Sequence, residues 1–131
     1  MPQVDVVDET WIGANPDRVA ARIADPASWR RWWPDLELAV DELRGAEGVR
    51  WFVRGRAAGS MEIWLQPDLD GVRLHYFLRL DPPDGRRLAP RQADREVFTY
   101  RRRAKQVFWA LKDELEGRHQ PRRERSETRR R

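Results

Sequence analysis

The stretch that decides the fold is Asp94–Glu116, DREVFTYRRRAKQVFWALKDELE. Its apolar residues Val97, Tyr100, Ala104, Val107, Leu111 and Leu115 lie 3, 4, 3, 4 and 4 positions apart. That spacing draws one apolar stripe along a helix. Phe98, Phe108 and Trp109 widen the stripe, and Gly117 stops the helix as a glycine just past its end. A helix of this length with one apolar face needs a broad apolar surface to cover.

The stretch upstream supplies that surface. Leu36–Leu43, Val49–Arg54, Ser60–Gln66 and Val72–Leu80 alternate apolar and polar residues, as half-buried strands do. The turns between them, such as Arg44-Gly45-Ala46-Glu47-Gly48 and Pro67-Asp68-Leu69-Asp70-Gly71, are too short for parallel crossovers. The run therefore predicts an antiparallel meander. Ahead of it, Gln3–Gly13 reads as a further strand. Asn15-Pro16 and Asp25-Pro26 each open a short helix, with a cap followed by proline in the first turn. Pro34 disfavours helix at Trp33. Asp81–Pro90 reads as a loop. The sum is an α+β fold: a curved antiparallel sheet of about five strands wrapped on a long C-terminal helix, with two short helices after the first strand.

Composition narrows the chemistry. The chain has 131 residues, one domain's worth, with no cysteine, two histidines and a net charge of +4. Disulfides and thiol chemistry are excluded, and no spacing of Asp, Glu and His marks a metal site; the reading expects no metal and no cofactor. From Gly117 on, seven arginines and two glutamates give a local +5, so residues 1–116 are near neutral. We expect a domain over 1–116 and a disordered arginine-rich tail over 117–131. A near-neutral body argues against a specific nucleic-acid site. No apolar run is long enough to span a bilayer, and the first residues do not resemble a secretory signal, so the expected location is cytoplasmic.

The strand ending in Ile12-Gly13-Ala14-Asn15-Pro16-Asp17-Arg18-Val19, the segment Trp32-Trp33-Pro34 and the closing Lys112-Asp113-Glu114-Leu115-Glu116 resemble the START-like (SRPBCC) superfamily. The nearest likeness is to small actinobacterial proteins of the polyketide cyclase/dehydrase-like branch, over residues 4–117. The resemblance implies a helix-grip fold with a ligand cavity between sheet and helix. The family sheet has seven strands; two are missing here between the meander and the last helix, which implies a smaller or more open cavity.

Three functions follow. The first is a binding module for an apolar or aromatic ligand of lipid or polyketide type. Its cavity wall would be Trp51, Met61, Ile63, Leu74 and Tyr76 on the sheet and Tyr100, Ala104, Val107, Phe108 and Leu111 on the helix. Trp29, Trp32 and Trp33 would form its rim. The same side chains would equally fill a core. The second, implied by the resemblance, is a cyclase or dehydratase with Tyr76 or Tyr100 as acid or hydrogen-bond donor. The third is a partner-binding role through Phe52, Trp64 and Phe77, aromatic residues on the face away from the helix and a candidate homodimer interface. With the 67–70 loop closing the last hairpin, Glu62 is expected opposite His75, Trp64 opposite Arg73 and Ser60 opposite Phe77. Phe52 is expected beside Glu62, and Arg50 beside Trp64.

Overall fold

In the computed structural model, which describes residues 2–117, the elements run β1 (Val4–Ile12), α1 (Pro16–Ala24), α2 (Pro26–Trp32), β2 (Leu36–Leu43), β3 (Gly48–Gly55), β4 (Ala58–Asp68), β5 (Gly71–Asp81) and α3 (Pro90–Glu116). One five-stranded antiparallel sheet has the order β1-β5-β4-β3-β2. The expected α+β helix-grip architecture is the observed one. The expected tail lies outside the described residues, apart from Gly117. No helix among the described residues is long and apolar enough to cross a membrane.

Local signals behave as their chemistry dictates. Asn15 and Asp25 cap α1 and α2, each side chain accepting from the backbone N–H two residues on, at 2.8 and 2.9 Å. α3 begins at Pro90 rather than Asp94, because proline fits the first helical position. It ends at Gly117 in the left-handed conformation.

Two hairpins are tighter than the sequence suggests. β4 and β5 pair as far as Asp68 and Gly71, leaving a two-residue turn in which Leu69 has φ 57°. β3 and β4 are joined through Arg56 and Ala57 alone. Both registers therefore move by two residues. Glu62 lies opposite Phe77, Trp64 opposite His75, and Ser60 opposite Arg79. Across β3, Phe52 lies opposite Ser60, Arg50 opposite Glu62, and Gly48 opposite Trp64. The expected Glu62–His75 pair does not form. A shift of two keeps every side chain on its own face, so the inner and outer faces stand as read.

α3 packs along β1 and ties down its free edge. Lys112 Nζ donates to the Trp11 carbonyl at 2.7 Å, and Glu116 Oε2 accepts from Gly13 N–H at 2.6 Å. Lys105 Nζ is 2.8 Å from the buried carboxylate of Asp8. Because α3 sits over this side of the sheet, α1, α2 and the Trp-rich connector must cover the other. They do so incompletely: on the inner face of β2, Leu36 is buried, Leu38 half-buried and Val40 exposed.

Candidate functional site

The inner face of the sheet is where sequence places a cavity, and there the connector after α2 decides the geometry. Pro34 keeps Trp33 out of the helix, at φ −133° and ψ 65°. This backbone accompanies an indole buried against the inner face of the sheet. The Trp33 ring stacks on Tyr76 with centroids 6.1 Å apart and planes 3° from parallel. Its centroid is 5.7 Å from that of Trp51, and Tyr76 meets Phe108 edge-on at 5.1 Å. Trp29 and Trp32 close the cluster, Trp29 against Trp51 at 5.3 Å and Trp32 against Trp33 at 5.6 Å. Edge-to-face geometry of this kind is the favoured one for aromatic rings.

Trp51, Met61, Ile63, Leu74, Tyr76, Ala104, Phe108 and Leu111 are thus brought together and buried. Trp51 and Tyr76 meet Trp33, and Tyr76 meets Phe108 and Met61, so side chains fill the space between sheet and helix at these positions. Trp33, expected at the rim, is inside. Tyr100 is buried farther toward the start of α3. There it lines a pocket of about 210 Å³ with Arg56, Arg86 and Glu96, under the 82–89 loop.

Two polar groups in this interior are poorly satisfied. The Tyr76 hydroxyl donates to the thioether of Met61 at 3.4 Å, a weak acceptor. The Trp51 indole N–H is buried and has no partner among the described residues. Trp29 shows the usual solution, donating to the Ile23 carbonyl at 2.6 Å. A buried donor without an acceptor is uncommon and costs about 1–3 kcal/mol.

Burial raises the Tyr76 pKa far above the ordinary phenol value, with the charge of Arg103 opposing. Tyr100 is also raised, by burial first and then by the charge of Asp35, with Arg56 opposing. Both phenols are held neutral: they can donate hydrogen bonds, and they are poor proton-transfer groups near neutral pH.

Open space lies at the margins of the aromatic cluster. A groove of about 390 Å³ runs between α2 and β2, walled by Pro26, Trp29, Trp33, Pro34, Leu36 and Leu38, with Arg30 the one charged residue along it. Across Pro34, a second groove of about 410 Å³ between α2 and α3 is lined by the half-buried Trp32 and Val107 beside Arg31 and Gln106, with the buried Leu111 at its floor. The expected rim tryptophans therefore do meet space, though outside the core. Sequence reasoning missed Leu36 and Leu38 as groove walls. Their alternation was legible, but that no helix would cover β2 was not.

On the outer face, Phe52 is 47% and Trp64 37% exposed, and Phe77 is half-buried. Trp64 stacks on His75 at 4.4 Å, and His75 also meets Gln66 at 3.1 Å and Glu9 at 3.6 Å. Glu62 pairs instead with Arg44 and Arg50. No cluster of three or more metal-ligating side chains occurs among the described residues.

Comparison with known proteins bears on the fold. No family model matches the chain, and no curated protein matches it. Among solved structures, it is similar to the Aha1 dimer from Colwellia psychrerythraea, with a TM-score of 0.61 and 13% identity over 86% of this chain and 96% of that one. Protein CV1439 from Chromobacterium violaceum gives 0.54 and 18% identity, over 79% and 94%. Protein DR_A0006 from Deinococcus radiodurans gives 0.53 and 14%, over 80% and 98%. At such identities the likeness is one of fold: all share the helix-grip arrangement of sheet and long C-terminal helix.

Proposed function

We propose that this helix-grip domain is a binding module for a small, flat, mainly apolar ligand that carries a hydrogen-bond acceptor. The ligand enters the groove between α2 and β2, against Trp29, Trp33, Leu36 and Leu38. The observation that carries this reading is the groove itself: an apolar slot of about 390 Å³ walled by two indoles that both contact Trp51, whose buried N–H has no acceptor among the described residues. Pockets of this size and character suit small molecules. A ligand carbonyl reaching Trp51 satisfies the donor that the fold leaves unpaired. Burying ~200–300 Å² of apolar ligand surface is worth roughly 5–7 kcal/mol before association costs, which gives micromolar affinity at best.

The fluorescent ketone prodan, flat and apolar with one carbonyl, is the probe. Its emission should blue-shift and saturate on titration with the protein. Leu38→Glu, at a half-buried position on an edge strand, should abolish the shift while leaving the melting temperature nearly unchanged. Equal binding to both proteins places the ligand elsewhere. The cyclase or dehydratase reading is less well supported: burial holds Tyr76 and Tyr100 neutral, which disfavours the role of acid and leaves them that of hydrogen-bond donor.

A separate observation favours self-association. Trp64 and Phe77 edge a shallow depression of about 370 Å³ on the outer sheet face, between Arg44, Glu62 and Arg79. The Colwellia protein of similar fold is a dimer. We propose this face, with Phe52, as a homodimer interface. Sedimentation equilibrium should show a dimer that Trp64→Arg converts to monomer; a wild-type monomer at high concentration refutes it.

A further inference from the structure

The solvent side of α3 carries two large apolar rings that nothing described covers: Phe98 is 62% exposed and Trp109 57%. They lie eleven residues apart. Three helical turns bring both rings back to one line, about 16 Å apart and within about 20° of each other. Single exposed apolar residues are ordinary, but two aromatics in line on the outer ridge of a core helix are not explained by packing.

The charges beside and between them say what the ridge faces. Arg95, Arg101 and Arg102 have no acidic partner among the described residues, and the exposed Asp94 is the acid that stands beside them at the start of the ridge; on the outer sheet face Arg44 and Arg50 pair with Glu62, and Arg73 with Asp68. Lys105 holds Asp8 and lies 5.6 Å from the Trp109 ring. A second copy of the chain packed antiparallel would set Phe98 on Trp109, but it would also press Arg102 against Lys105 of the other copy at the centre. Like charges desolvated there oppose such a dimer. A duplex nucleic acid offers phosphates to the arginines, yet its stacked bases give Phe98 no place to go.

We infer that this ridge seats the protein on an anionic bilayer surface, with Phe98 and Trp109 in the headgroup region and Arg95, Arg101 and Arg102 against lipid phosphates. Apolar rings at the acyl boundary flanked by arginines is the arrangement by which a helix lies in a membrane interface. The ridge is distinct from the α2–β2 groove.

Flotation of the full chain with vesicles tests this. Vesicles of phosphatidylglycerol and phosphatidylcholine in equal parts should carry the protein, less so as salt rises, and phosphatidylcholine alone should not. The double variant Phe98→Ser, Trp109→Ser alters exposed positions and should melt like wild type; its vesicle affinity should fall about tenfold or more, as should that of Arg101→Glu, Arg102→Glu. The inference is overturned if wild type stays unbound, or if the double aromatic variant floats as well as wild type, which would assign attachment to the arginines of 118–131. It is equally overturned if the ridge arginines govern binding to duplex DNA while vesicle binding is undetectable.

Discussion

The indole of Trp33 lies parallel to the phenol of Tyr76, centroids 6.1 Å apart, buried against the inner face of the sheet that α3 packs on. Trp33 belongs to neither of those elements. It comes from the connector after α2, and it occupies a place where an aromatic ligand would meet Tyr76 and Trp51.

Trp33→Ala should therefore leave a cavity, because its neighbours belong to a rigid sheet and a long helix that collapse little. The expected cost is about 3–5 kcal/mol of stability. Added indole should bind the cavity and recover part of the melting temperature by mass action. Calorimetry with and without indole measures both. A destabilised variant that ignores indole would show that the interior collapses.

Leu111 is buried on the stripe that packs α3 onto the sheet. Leu111→Asp would bury an unpaired carboxylate at a cost of several kcal/mol and should unfold the domain. Circular dichroism with a wild-type melting curve would contradict the packing of α3.

The fold was largely legible because it rests on periodicity. The 3.6-residue stripe of α3 and the alternation of the strands depend on which residues are apolar, and burial follows that pattern except at Phe98 and Trp109, read as part of the stripe but facing solvent. The registers were not legible. Asp68 and Gly71 can close a two-residue turn as readily as they can flank a longer loop, and only pairing across the whole sheet chooses. The site was half legible. Trp29, Trp32 and Trp33 stood out as a dense segment, and they do border open space. That Trp33 would turn inward and fill the expected cavity follows from three-dimensional packing against Trp51 and Tyr76, which composition does not encode. Nor does any local signal announce that the Trp51 N–H is left without an acceptor.

Tyr76 and Tyr100 are the chain's two tyrosines, and burial raises both pKa values. The fold prefers neutral phenol. Its stabilisation is complete below the unfolded value of about 10 and is lost as pH climbs toward the raised folded-state values. Phenolate absorbance should appear late and together with loss of structure. Ionisation of either tyrosine near its ordinary value in the folded protein would contradict the burial.

The indole N–H resonance of Trp51 reports on the proposed site most directly, because that proton is the donor the ligand is expected to satisfy. It can be assigned in the nitrogen-15 spectrum by its disappearance in Trp51→Phe. On titration with prodan it should move downfield and exchange more slowly, with Trp29 and Trp33 also shifting and Trp64 and Trp109 unmoved. A saturable prodan signal that leaves the Trp51 resonance in place, or shifts only Trp64 or Trp109, would contradict ligand binding in the α2–β2 groove.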